Sequence, residues 1–227
     1  MLKPRFYSTA SEFRLEIVTE KDKEKVVDFI AKHYRTSDPV WVALQITDSE
    51  VRPFFADFFS LWTKDPISFL AYSSDDQLVG VKLNAVVQFG DKKPDVPFLR
   101  QFSYSWKAVY ILTQMERMEK EVFYLAPEVR KWFYFTLGCV RSDFHRQGLG
   151  SKMWRASMEK AREFECQGAY SLASNIKSQN GLEKMGFRPF KMWKYQDFFE
   201  EKFRNIVGDR WNVEGAEKLK LMGKTWY

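Results

Sequence analysis

The chain has 227 residues, enough for one large domain or two small ones, and 45% hydrophobic with 17% aromatic residues excludes wholesale disorder. Its net charge of +6 suits an anionic ligand, but basic and acidic residues mix throughout without a block of about five or six like charges, so no nucleic-acid partner is expected. No apolar run reaches the roughly 18 to 20 residues that span a bilayer, and MLKPRFYSTASEF lacks the apolar centre of a secretory signal, so a soluble cytoplasmic protein without a membrane partner is expected.

In chain order, residues 1–11 read as an N-terminal extension and 12–227 as one domain. FRLEIVT alternates like a strand, and EKDKEKVVDFIAKHYR reads as a helix whose Val26, Val27, Phe29, Ile30 and Tyr34 recur at helical spacing. Pro39 breaks that helix and leaves Asp38 at a bend. An aromatic-rich helix is expected over 48–63, then an antiparallel hairpin formed by ISFLAYSS and QLVGVKLNAVVQF around the turn SDDQ. Residues 89–103 read as a loop and 104–120 as a helix. KWFYFTLGCV is a nearly continuous apolar run, the pattern of a central strand buried on both faces. A turn with Gly148 and Gly150 opens a helix running to about 166, followed by the strand AYSLAS, the short helix SQNGLEKM and the strand FRPFKMWKY. A polar stretch precedes a last strand, EKLKLMGKTWY. With no internal repeat or linker, a single α/β domain is the simplest organisation.

Two cysteines, Cys139 and Cys166, lack metal-ligand spacing and read as buried thiols, and with His33 and His145 the only histidines no metal site is expected. HRQGLGSKMW is the informative stretch. Glycines at the start of a helix let a diphosphate rest on the backbone, where unpaired N–H groups and the positive end of the helix dipole face it. Arg141, Arg146 and Lys152 add positive charge nearby. The spacing fits neither a dinucleotide fingerprint, because Met153 stands where its third glycine belongs, nor a P-loop, which needs Gly-Lys followed by Ser or Thr. A tight turn shaped by glycine alone is the competing explanation.

About 25 residues on, SNIKSQNGLEKMGF carries Asn175, Ser178, Gly186 and Phe187. Together with Gly148 and Gly150, these residues make the chain resemble the GNAT superfamily of N-acetyltransferases, which pairs such a glycine turn with an Asn-x-x-Ala/Ser…Gly-Phe helix. The resemblance implies an α/β GNAT fold, a mixed, largely antiparallel sheet of about seven strands flanked by helices. It also implies acetyl-CoA as cosubstrate, held by Cys139, Val140, His145, Arg146, Gln147, Gly148, Leu149, Gly150, Ser151 and Asn175. His145 replaces the usual Gln or Arg of the turn, and Leu182 stands where many members carry an acidic tyrosine.

The missing tyrosine makes the chain similar to a subgroup, the invertebrate arylalkylamine N-acetyltransferases, in which two serines lie four residues apart and a Glu-Pro follows the first helix. Ser174 and Ser178 occupy the serine positions, Asp38-Pro39 stands for Glu-Pro, and KYQDFF matches a Tyr-x-Asp-aromatic strand end. The resemblance implies Asp38 as the base, Ser174 and Ser178 as relays or thiolate donors, and a small arylalkylamine (dopamine, serotonin, tyramine or octopamine) as acceptor, in a monomer. A polyamine, a small amino compound or a protein amine stays open as the acceptor, and so does a CoA-binding module without turnover. Each residue also has a structural reading: Asp38 starting a turn, Ser174 ending a strand, Ser178 capping a helix, and the aromatics of 53–62 as core.

Overall fold

The computed structural model describes residues 13–91, 104–208, 210–212, 215 and 217–226. The expected extension over 1–11 and most of the expected loop over 89–103 lie outside them. The alternating and apolar runs become seven strands: β1 (Arg14–Ile17), β2 (Phe69–Tyr72), β3 (Leu78–Gln88), β4 (Lys131–Val140), β5 (Gly168–Ala173), β6 (Arg188–Lys194) and β7 (Lys218–Thr225). They form one sheet in the order β1-β2-β3-β4-β5-β7-β6. Five of its six pairings are antiparallel, and β4 with β5 is the parallel one. The apolar run of β4 is thus the central strand its composition predicts.

Two irregularities in β4 shape the site. Against β3, Leu83 pairs with Leu137 while Ala85 pairs with Tyr134, so β4 carries one extra residue, a bulge that bends the strand. Lys82 fills this place: it is 1% exposed, donates to the carbonyls of Leu83 and Leu137 at 3.3 Å each, and lies 4.5 Å from the Phe135 ring centre. Burial alone pushes its amine well below the usual lysine range. Against β5, β4 pairs only over Trp132–Tyr134 with Gly168–Tyr170, although both strands run on. Beyond Tyr134 the two strands part, leaving a gap at the centre of the sheet.

Helices cover both faces. On one lie α1 (Lys23–Phe29), α2 (Pro39–Ala43), α3 (Asp48–Thr63) and α4 (Trp106–Leu125), which share a core with Leu137 and Cys139 of β4. On the other lie α5 (Leu149–Glu163) and α6 (Ile176–Lys184); Met158 and Leu182 pack there with Phe133 and Phe135.

Some boundaries differ from the sequence expectation. The first helix is a 3-10 turn over Glu20–Asp22, then α1, then a π-helical turn over Ile30–Tyr34. Pro39 does more than stop a helix: it is the first residue of α2, where its missing N–H is harmless. The helix expected over 104–120 spans 106–125, and α5 ends at Glu163 because Glu165 takes a left-handed φ of 52°. Tyr195 leaves the strand to begin α7 (Tyr195–Phe198), and the polar stretch after it contains α8 (Glu201–Val207).

Candidate active site

The glycine turn lies where β4 ends. A 3-10 turn over Ser142–Phe144 leads to Gly148, the N-cap of α5, at φ 83° in the left-handed region, which disfavours any side chain. A Cβ at Gly148 or Gly150 would meet no atom within 4 Å. Packing therefore does not explain either glycine, and the space above them is open. Leu149, Gly150 and Ser151 supply the first N–H groups of α5, whose fifteen residues align a dipole on this opening. These residues fit a diphosphate.

The flanking charges divide. Arg141 is held by Asp143 at 2.8 Å and Gln77 at 3.0 Å, and Lys152 donates to the carbonyl of Phe13. Arg146, exposed and itself left-handed at φ 62°, extends from the loop. His145 turns back, its Nε2 2.9 Å from the Val140 carbonyl, so the side chain ties the loop to the strand end. Gln147 donates to the carbonyl of Asp143 at 3.1 Å. Asn175 caps α6, its Oδ1 accepting the Ser178 N–H at 2.8 Å, which leaves its Nδ2 as the group to offer a ligand.

Across the gap, Asp38 is 2% exposed. One oxygen, Oδ1, accepts the N–H groups of Val40 at 3.0 Å and Trp41 at 3.3 Å, capping α2. The other, Oδ2, accepts the hydroxyl of Tyr34 at 3.0 Å and that of Ser174. Burial raises the pKa of this carboxyl against the opposing pull of these four hydrogen bonds. Ser174, at the C-terminal end of β5 and 9% exposed, presents the same oxygen that touches Asp38. Tyr195 fixes it from behind by donating to the Ser174 carbonyl. Burial, and after it the charge of Asp38, pushes the Tyr34 and Tyr195 hydroxyls above the usual tyrosine range.

Aromatic rings enclose the pair. Trp41 stacks on Phe55 with centres 5.3 Å apart, and Tyr34 meets both edge-on at 6.2 and 6.4 Å. Phe54 and Phe55 are buried, so these two rings are core, as their composition allows. Cys139 is buried near Tyr34, and burial holds its thiol up at about 12, so it is no nucleophile at neutral pH.

The structure brings Asp38 and Ser174 into direct contact but does not join Ser178 to them. The Ser178 hydroxyl donates to the Asn175 carbonyl at 2.9 Å, and Asn175, not Ser178, is the helix cap. Tyr34 and Tyr195 are members of the cluster that residue reading did not assign. Tyr34 lies four residues before Asp38, and Tyr195 opens KYQDFF; those were the available signals. Tyr34→Phe should remove one donor from the carboxylate and raise its pKa further. The limb of a pH profile of kcat/KM that reports this base should then move to higher pH.

Comparison with known proteins follows the same lines. The model of the acetyltransferase (GNAT) family matches residues 28–187. No curated protein matches the sequence. Among solved structures, arylalkylamine N-acetyltransferase 2 of Aedes aegypti is similar at a TM-score of 0.75 and 22% identity, over 94% of this chain and 99% of that one. Mosquito arylalkylamine N-acetyltransferase like 5b gives 0.77 and 15%, over 95% and 100%. The Drosophila melanogaster polyamine N-acetyltransferase that forms N-acetylagmatine gives 0.74 and 11%, over 95% and 100%. These TM-scores establish a shared fold. With the glycine cradle, the parted strands and a family match over most of the chain, this protein belongs to the GNAT family of acetyltransferases.

Proposed function

We propose that the protein transfers the acetyl group of acetyl-CoA to the primary amine of a small arylalkylamine, by direct attack in a ternary complex. The observation that carries this reading is the Asp38–Ser174 contact at the edge of the β4–β5 gap, with one group buried and the other at the margin. An amine arrives protonated and reacts only when neutral. Asp38 has all four of its contacts filled by donors, so it is reached through Ser174: the hydroxyl accepts a proton from the ammonium while passing its own to Oδ2. The raised pKa of Asp38 makes it a better acceptor of that proton than an exposed aspartate.

Gly148, Leu149, Gly150 and Ser151 would hold the diphosphate, Arg146 and the Asn175 amide would add contacts, and the opened edge of β4 near Cys139 and Val140 would receive the acetyl arm. Acetyl-CoA supplies an activated thioester there: the C–N bond forms as the C–S bond breaks, and the proton shed by the new amide leaves with the thiol. The half-buried ring of Tyr34 beside Asp38 suits an aryl acceptor, and similar structures include enzymes named for arylalkylamines. Two buried cysteines without a disulfide suit a reducing compartment, hence the cytoplasm, and among the described residues no helix is long and apolar enough to cross a membrane.

The test is release of CoA thiol by the purified protein with acetyl-CoA and each of tyramine, serotonin, spermidine and a lysine peptide. Turnover confined to the aromatic amines is expected. Turnover with spermidine or the peptide alone would assign another amine class, and silence with all four despite acetyl-CoA binding would point to a CoA-binding module.

A further inference from the structure

Gly138 breaks the burial of the central strand. Leu137 and Cys139 on either side of it are each 6% exposed and pack with the helices on the Asp38 side, yet Gly138 is exposed. Its backbone does not call for glycine, because it lies within β4, paired with Lys82, and its φ is not left-handed. The other glycines of the sheet answer to packing: a Cβ at Gly80 would press on Leu149 and Met153 at 3.3 Å, one at Gly168 would run into Trp132, and one at Gly223 into Phe190. At Gly138 a Cβ would meet a single atom within 4 Å, the Cδ of Lys82, at an ordinary contact distance of 3.4 Å. The place of the missing side chain is therefore a space, floored by a methylene of Lys82 and open above.

Its position ties this space to the reaction. Val81 and Leu83 pack on the Asp38 side, so alternation puts Lys82 on the α5 side. There its amine lies over Phe135, which shares a core with Met158 of α5. The missing Cβ of Gly138 points at the Lys82 stem, and so toward the face that carries the glycine cradle. Along the strands, Gly138 and Ser174 each lie four residues beyond the last rung, Tyr134 with Tyr170. They flank the gap at one height, to within the extra residue of the bulge. The Ser174 hydroxyl turns to Asp38 on one face, and Gly138 opens on the other. A thioester carbon held between them has the amine on one side and the space over Gly138 on the other.

We infer that the space over Gly138 is an acyl-chain subsite, which takes the terminal methyl of a propionyl group and makes propionyl-CoA a donor beside acetyl-CoA. This rests on the acetyltransferase reading above. An acetyl group ends at the gap. One further carbon reaches the place where any other residue would carry its Cβ, touches the Lys82 methylene there, and leaves water for an apolar contact. Transfer balances as for acetyl: the nitrogen bonds to the propionyl carbonyl carbon, the C–S bond breaks, and the proton shed by the new amide leaves with the thiol.

The experiment compares kcat/KM for acetyl-CoA and propionyl-CoA, with tyramine as acceptor, in the wild type and Gly138→Ala. The wild type should use the two donors within about threefold of each other. Gly138→Ala places its own methyl in the space without strain. It should lower the propionyl-to-acetyl ratio by about tenfold or more, with acetyl transfer and melting temperature close to wild type. Rejection of propionyl-CoA by the wild type would overturn the inference. So would equal losses with both donors in Gly138→Ala, since glycine would then serve only the approach of the CoA arm. In both cases turnover of acetyl-CoA leaves the acetyltransferase reading intact. Binding of both donors with turnover of neither would overturn that reading as well.

Discussion

Asp38→Asn is expected to lower kcat for amine acetylation by about 10²-fold or more at neutral pH, with acetyl-CoA affinity close to wild type and a melting temperature no lower than wild type. The reasoning follows the two oxygens of this side chain separately. Oδ1 caps α2 through the Val40 and Trp41 N–H groups, and Asn caps a helix as well as Asp does. Oδ2 faces Ser174 and Tyr34, and the amide that replaces it cannot take a proton. The substitution thus removes the base and leaves the cap. Asp38→Glu separates the same functions in the other direction. Its carboxylate can still take a proton, but the longer side chain no longer suits the cap, at a cost of about 1 kcal/mol. That double duty gives a physical reason for aspartate at this position. Steady-state kinetics, calorimetric titration with acetyl-CoA and thermal melts check all three quantities.

The charge has its own signature in stability. A buried carboxyl whose folded pKa is raised contributes stability that is full below its unfolded value of about 3.9 and is lost as pH rises through the folded value. Asp38→Asn should therefore gain stability relative to wild type as pH rises from acid to neutral.

Gly148→Glu should give the converse: a folded protein with no measurable affinity for acetyl-CoA, and therefore no turnover. The new Cβ meets nothing within 4 Å, so the core is untouched. The left-handed φ of 83° adds strain of roughly 1 to 2 kcal/mol, which a domain of this size can absorb. What the substitution destroys is the cradle, since a carboxylate would occupy the place where free N–H groups of α5 await a diphosphate. Gly148→Ala separates strain from charge and should weaken binding far less. Normal acetyl-CoA binding by Gly148→Glu would mean that this turn is shaped by glycine for the backbone alone.

The sequence was most legible where local pattern and burial agree. Alternation marked β1, β2 and β3, and the apolar run of β4 marked the centre of the sheet. Gly148, Gly150 and Asn175 were picked out by their joint resemblance to the GNAT pattern; Gly148 also meets a backbone requirement, its left-handed φ, and Asn175 caps α6. Short or irregular elements were not legible. An Asp-Pro pair reads equally well as a stop or as an N-cap with proline at the first helical position, and only the Oδ1 contacts decide between them. The π-helical turn that brings Tyr34 round to Asp38 has no periodicity of its own. Lys82 looks like a solvent-facing residue of an alternating strand, yet it is buried and its amine donates to the Leu83 carbonyl of its own strand and to the Leu137 carbonyl beside the bulge in β4. The Asp38–Ser174 contact joins residues 136 positions apart. Resemblance named both residues, but the contact itself is a product of the fold.

The central claim is that Asp38 and Ser174 work as one proton-accepting unit, and a double-mutant cycle on kcat/KM for tyramine tests it most directly. Asp38→Asn, Ser174→Ala and the double variant should lose activity to a similar extent, about 10²-fold each, because breaking the relay at either member breaks it entirely. A double variant whose loss is the product of the two single losses, or a Ser174→Ala variant as active as wild type, would contradict the relay.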